Sequence, residues 1–225
     1  MTSSPIRILL VDDQQLIRLG FSLVLGAEDD LEVVGEAASG AEAIEMAERL
    51  QPDVILMDVR MPGLDGIGAT QRIVADRPDS RIIILTTFDL DEYAFAALRA
   101  GASGFLLKDA LPAELTSAIR AVYSGDAAVS SRVTKRMLEL FADELPANDA
   151  ATGESAGSEL DELTPRERDI LIAMAEGLSN AEIAAHFVLS ESTVKTHVGR
   201  VLMKLQLRDR VQAVIFAYRN GLVRP

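Results

Sequence analysis

Four stretches of the chain place a reactive side chain directly after a run of aliphatic residues. Ile6 to Val11 leads into Asp12 and Asp13, and Val54 to Met57 into Asp58. Ile82 to Leu85 leads into Thr86 and Thr87, and Gly104 to Leu107 into Lys108. If these runs are parallel strands of one sheet, the groups gather at its C-terminal edge, where open α/β sheets bind ligands. Three carboxylates held together repel one another, and a hard divalent cation with oxygen ligands is the usual remedy. One or two carboxylates with waters and a phosphate suit Mg²⁺. Lys108 adds one positive charge, and the Thr86 hydroxyl can bond a phosphoryl oxygen. The chemistry this suggests is phosphoryl transfer onto a carboxylate, with the metal neutralising the equatorial oxygens. Each residue alone has a plainer reading: Asp13 as a helix N-cap, Lys108 as a solvated surface lysine. Joint placement at four strand ends favours the site.

The elements that must position these groups are legible as two periodicities. A further aliphatic run spans Leu31 to Ala37. Between the runs lie segments with helical spacing: Leu16, Leu19 and Val24; Ala43, Ile44, Ala47 and Leu50; Ile67, Thr70, Ile73 and Val74; Tyr93, Ala94, Ala97 and Leu98; Leu115, Ala118, Ile119 and Val122. Near-continuous apolar strands alternating with amphipathic helices predict a doubly wound, five-stranded parallel sheet covered on both faces. Val133, Met137, Leu138, Phe141 and Leu145 predict one more helix leading out of this domain.

The composition narrows the function. The chain has 225 residues, 48% of them hydrophobic, which suits two small folded domains. The absence of cysteine excludes a disulfide framework, a thiol nucleophile and a thiolate zinc site. His186 and His197, the only histidines, are too few for an imidazole zinc site. No run of 18 apolar residues and no export signal is present, so a soluble, cytoplasmic protein without a membrane partner is expected. The net charge of −13 argues against nucleic acid only if it is uniform. It is not. Residues 1–145 carry −11, and residues 146–162, with five acids and one large apolar side chain, carry −5 and read as a flexible linker. Residues 163–225 carry +3, with seven basic residues and one acid from Ser192 onward.

That basic segment has its own signals. Thr164-Pro165-Arg166-Glu167 is a capping box that opens a helix ending near Gly177. Ser179-Asn180-Ala181-Glu182 is a second, opening a short helix, and Val188-Leu189 makes a tight connection to a third that runs from about Ser190 to Leu205. Two helices joined by so short a turn make a helix-turn-helix motif. On the third helix, Val194, Val198, Val201 and Leu205 fall within about 60° of one another and form the buried stripe. Ser192, Thr196, Gly199 and Met203 lie opposite, edged by Lys195 and Arg200, a face suited to a major groove. His197 reads as a packed structural histidine rather than a DNA contact.

These residues match known families. Ile8 to Asp13, Asp53 to Gly66, Ile84 to Thr87 and Gly101 to Asp109 resemble, in order, the motifs of a response-regulator receiver domain of flavodoxin-like fold. The resemblance implies that Asp58 accepts phosphate from a histidine kinase, and that Asp12, Asp13, Asp58 and the Arg60 backbone carbonyl hold Mg²⁺. It also implies that Lys108 and Thr86 contact the phosphoryl group, and that Thr86 and Phe105 act as the switch. Phe105 stands where tyrosine is frequent, and Asp109 where proline is. Leu163 to Arg168, Gly177 to Ala184, Ser192 to Val198 and Leu207 to Ala213 resemble the LuxR-type four-helix DNA-binding domain. That likeness implies DNA contact by Ser192, Thr193, Lys195, Thr196, Gly199, Arg200 and Lys204, and dimerisation through the last helix, Asp209 to Tyr218. Gly199 replaces a longer side chain common there.

Together these imply a regulator of the NarL/LuxR type. Its receiver spans 1–128, a linker helix and acidic linker 129–162, and an all-α helix-turn-helix domain 163–225. The expected partners are a sensor histidine kinase, double-stranded DNA and a second copy of the chain, with RNA polymerase as a further candidate. The chain is expected to be a phosphoacceptor that can catalyse its own phosphorylation and dephosphorylation, not an enzyme acting on a separate substrate. An aspartyl-phosphate phosphatase would need an acid–base Asp two residues after Asp58, where Arg60 stands. A ligand-sensing LuxR regulator would need an aromatic-lined cavity, where this half offers aliphatic strands.

Overall fold

A computed structural model describes residues 4–87, 96–97, 99–125 and 160–223. The chain divides into two compact units, residues 1–129 and 130–225. In the first, β1 (Ile6–Val11), α1 (Gln15–Leu25), β2 (Leu31–Ala37), α2 (Gly40–Leu50), β3 (Val54–Asp58), α3 (Gly66–Asp76), β4 (Arg81–Thr86), β5 (Gly104–Leu107) and α4 (Pro112–Tyr123) follow one another. The strands pair in the order β2-β1-β3-β4-β5, all parallel. All five residues of β3 are buried, as a central strand covered on both faces requires. Alternation along β1 sends Ile8 and Leu10 into a core shared with Leu25 of α1 and Leu115, Ile119 and Val122 of α4. Ala43 and Ala47 of α2 and Ala69 and Ile73 of α3 are buried as well.

The five strands lie where the aliphatic runs place them, lengthened by one residue in β3 and by one at each end of β4. Of the segment around Tyr93, Ala94, Ala97 and Leu98, Ala96, Ala97 and Arg99 are helical, and the rest lies outside the described residues. So does the segment from Val133 to Leu145.

Helix α1 departs from its expected face. Leu16 and Leu19 are not core residues but are 81% and 53% exposed, as is Leu23 at 68%. Leu25 is buried instead, with Phe21 and Val24 packed beside it. Seven of the eleven residues of α1 are large and apolar, so spacing alone cannot decide which stripe meets the sheet.

The second unit contains α5 (Pro165–Ala175), α6 (Asn180–Phe187), α7 (Glu191–Lys204) and α8 (Arg210–Arg219). Thr164 and Ser179 form both expected capping boxes, and Gly177 takes the left-handed conformation (φ 86°) that ends α5. Leu163, Ile170, Leu171, Met174, Ile183 and the α7 stripe Val194, Val198, Val201 and Leu205 share one core. Leu160 and Asp161 are helical, and Leu160 packs on that core.

Candidate functional site

Strand order reverses between β1 and β3, and the crevice this opens receives Asp12 from the loop after β1 and Asp58 from the last position of β3. Asp12 and Asp58 are buried, and Asp13 is exposed at the mouth. One carboxylate oxygen from each of the three lies within 4.8 Å of the other two. Lys108, just beyond β5, places its Nζ 2.7 Å from Asp12 Oδ2 and 2.9 Å from Asp58 Oδ2. Backbone amides serve the other oxygens: Gln14 N donates to Asp12 Oδ1 at 2.9 Å, and Arg60 N to Asp58 Oδ1 at 3.3 Å. Asp13 does not cap α1; the N-cap position belongs to Gln14, whose side chain makes no capping bond.

Burial pushes the Asp58 carboxyl above the ordinary carboxylate value, and the Asp12 charge adds to this against the pull of Lys108. For Lys108, burial works against the ammonium. Hydrogen bonds to Asp12 and Asp58 and the charges of both outweigh it, and its pKa is raised. Three carboxylates against one ammonium leave two negative charges uncompensated in a half-open pocket of oxygen ligands. That donor set fits a divalent cation of the Mg²⁺ kind.

Thr86 ends β4 and is buried, and its carbonyl accepts from Lys108 N at 2.7 Å. Phe105 is also buried and is in register with Ile84. The two-residue alternation therefore puts Thr86 and Phe105 on one face of neighbouring strands. The Arg60 guanidinium reaches Thr87 Oγ1 at 3.4 Å.

Three supporting residues escape sequence reasoning. Gly66 opens α3 against the end of β3, where a Cβ would stand 1.9 Å from the Asp58 carbonyl oxygen. Gly40 opens α2 against the preceding loop, where a Cβ would come within 2.4 Å of the Leu64 carbonyl oxygen. Arg18, one turn into α1, donates to the Asp12 carbonyl at 2.7 Å and to Glu36 Oε2 at 3.1 Å, strapping the loop that carries both acidic residues to the end of β2. The only signal for Arg18 is a lone cation one turn after Asp12-Asp13.

On α7, Ser192, Lys195, Thr196, Gly199 and Arg200 are exposed, and Thr193 is half-buried. Ser190 caps the helix; its Oγ lies 2.8 Å from both Ser192 Oγ and Thr193 Oγ1 and accepts from Thr193 N at 3.1 Å. Lys195 and Arg200 form no ion pair among the described residues. Lys204 stands apart from this face: its Nζ lies 2.6 Å from Glu167 Oε2 and donates to the Glu162 carbonyl at 3.0 Å. It ties the end of α7 to the start of α5. His197 is half-buried, with Nδ1 enclosed. Arg166 stacks over the Phe187 ring at 4.3 Å and donates to the Phe187 carbonyl at 3.2 Å, closing the turn before α7. Val211, Ala213, Val214, Ile215, Ala217 and Tyr218 of α8 are all buried, so the helix expected to dimerise offers mainly Arg219 and the half-buried Gln212 and Phe216.

Comparison with known proteins agrees with this division. Residues 8–120 match the family model "Response regulator receiver domain", and residues 161–217 match "Bacterial regulatory proteins, luxR family". The chain is 47% identical over 225 residues to the uncharacterized transcriptional regulatory protein YxjL of Bacillus subtilis (strain 168), covering 99% of this chain and 100% of that one. It is 41% identical to the transcriptional regulatory protein LiaR of the same organism, covering 97% and 99%. Among solved structures, the response regulator ChrA of a heme-sensing two-component system superposes with a TM-score of 0.52 at 33% identity, covering 98% and 100%. Salmonella typhimurium RcsB, at 23% identity and a TM-score of 0.57 over 96% and 99%, shares the fold.

Proposed function

The chain belongs to the response regulators that join a receiver domain to a LuxR-type DNA-binding domain, and from that premise we propose that Asp58 is its phosphoacceptor. It is a phosphorylation-dependent transcriptional regulator of a two-component system. The observation that carries the assignment to Asp58 is the buried carboxylate at the sheet's switch point, bridged by Lys108 to Asp12, with Asp13 alongside. A carboxylate oxygen of Asp58 attacks the phosphorus of a phosphohistidine on the partner kinase. The new P–O bond forms as the P–N bond to the imidazole breaks, and the product is an acyl phosphate. Poor solvation of the Asp58 anion keeps it nucleophilic, and the Lys108 ammonium stays in place to meet the phosphoryl oxygens. A Mg²⁺ ion held by Asp12, Asp13, Asp58 and the Arg60 carbonyl would supply charge neutralisation at those oxygens. Thr86 and Phe105, on one face of β4 and β5, relay the new charge.

Phosphorylation then favours a dimer that binds double-stranded DNA through α7 in the cytoplasm. The exposed α1 face of Leu16, Leu19 and Leu23 supports the dimeric part of this reading. The one charge on α1, Arg18, is engaged by Glu36 and the Asp12 carbonyl, so two copies of the face meet without like-charge repulsion. The test is DNA affinity of wild type and Asp58→Ala with and without acetyl phosphate and Mg²⁺. Tighter binding by phosphorylated wild type alone is expected; equal responses of the two proteins would sink the assignment.

A further inference from the structure

Gly199 interrupts α7 at its middle, where the fold gives it no employment. Its backbone is not in the positive-φ region, and a Cβ added there meets nothing within 4 Å. Glycine in a helix interior is less favourable than alanine by about 1 kcal/mol. Among the described residues, neither a turn nor a close contact accounts for it.

The surroundings of this gap are specific. At about 100° per residue, Ser192, Lys195, Thr196 and Met203 all project within roughly 60° of Gly199. Met203 is 69% exposed, an apolar side chain that the core does not use. Thr196 turns its hydroxyl back onto the Ser192 carbonyl at 3.0 Å, which leaves the γ-methyl as its unengaged group. The Ser192 hydroxyl is engaged by Ser190. Lys195 and Arg200 flank the gap as exposed cations without an ion pair among the described residues. The result is a small apolar notch, walled by a methyl and a thioether, on the positively edged face of the helix.

We propose that this notch receives the C5-methyl group of a thymine in the major groove, so that Gly199, Thr196 and Met203 set a preference for an A·T pair at one position of each half-site. The proposal rests on the reading that α7 enters the major groove. Thymine is the base that presents a methyl there, and short apolar groups are what read it. Flanking cations on phosphates fix the helix close enough for the contact, and the missing side chain at 199 lets the helix backbone approach the base edge.

The experiment uses the full-length protein activated with beryllofluoride and a random-sequence DNA duplex library. Each thymine of the enriched duplex is then replaced in turn by deoxyuridine, which removes the methyl and leaves the pairing intact. One thymine per half-site is expected to show about fourfold weaker binding on replacement, the effect of one buried methyl group. Gly199→Ala fills the notch and Met203→Ala removes one wall, and both are expected to bring the thymine-to-deoxyuridine ratio at that position close to one. Gly199→Ala should also melt higher than wild type, which separates lost contact from lost folding. Absence of any methyl-sensitive thymine, or a ratio unchanged in both variants, overturns the proposal while leaving DNA binding intact. Failure of the library to enrich any sequence overturns the underlying reading of α7 and this proposal with it.

Discussion

At the scale of single residues, the pocket is a balance between burial and pairing. Burial raises the Asp58 pKa above its ordinary value of 3.8, so the folded protein binds that proton more tightly than the unfolded chain. The ionised group then weakens the fold at every pH above its folded pKa, and the penalty vanishes below the unfolded value. Asp58→Asn is therefore expected to melt higher than wild type at neutral pH in the presence of a chelator, while taking up no phosphoryl group from acetyl phosphate by mass. A lower melting temperature would contradict the balance described. Gly66→Ala tests a different term. A Cβ 1.9 Å from the Asp58 carbonyl oxygen must displace backbone, so a loss of about 1–3 kcal/mol in chemical unfolding is expected, with slower phosphorylation at saturating Mg²⁺. Asp12, Asp13, Asp58 and Lys108 were legible in the sequence because each ends or follows an aliphatic run. The need for glycine at 66 was not, because it arises from an oxygen eight residues earlier in the chain.

Secondary-structure elements were legible where two signals coincide and illegible where one is degenerate. Capping boxes at Thr164 and Ser179 and a left-handed Gly177 framed α5 and α6 closely, whereas the uniformly apolar α1 hid which stripe it buries. Lys204 shows the same limit. Its helical position puts it near the face of Lys195 and Arg200, but its ammonium is held by Glu167 of α5. That contact, with the Thr164 backbone, holds the Glu167 carboxyl well below its usual range, at about 2. A depressed carboxylate stabilises the fold fully above its unfolded value near 4.5, and the contribution is lost as pH falls toward 2. Lys204→Met is expected to remove about 2 kcal/mol from the second unit at pH 7 and to flatten its acid-induced loss of stability between about pH 5 and 2. Acid titrations monitored by calorimetry check both. Val188 carries a strain of the opposite kind: a β-branched residue at φ 55°, 91% exposed, in the turn before α7. Val188→Asn is expected to stabilise the unit by about 1 kcal/mol, since asparagine tolerates that conformation; no rise in melting temperature would deny the strain.

For the whole molecule, charge has to be read by segment. The net −13 is made of −16 over residues 1–162 and +3 over residues 163–225, with +6 concentrated after Ser192. A polyanion such as DNA attracts the basic surface of α7 and is repelled by the receiver and linker carried on the same chain. Both effects are Coulombic, but they differ in range. Lys195 and Arg200 are exposed on α7, and for cations that meet phosphates at contact distance counterion release sets the salt dependence. The acidic excess acts over longer separations and is screened beyond about 10 Å at 0.1 M salt. Removing the receiver should therefore strengthen DNA binding most at low ionic strength. A chain beginning at Leu160, the first of the described residues packed on the second core, is expected to bind a given duplex more tightly than the unphosphorylated full-length protein at about 0.05 M salt. The gap should narrow as salt rises toward about 0.3 M, which makes the salt slope of the shorter chain the steeper of the two. Parallel salt titrations of the two proteins on one duplex measure it. Equal affinities with equal slopes would mean that the acidic half exerts no field on the DNA. A constant gap with equal slopes would point to steric cover of α7 rather than charge.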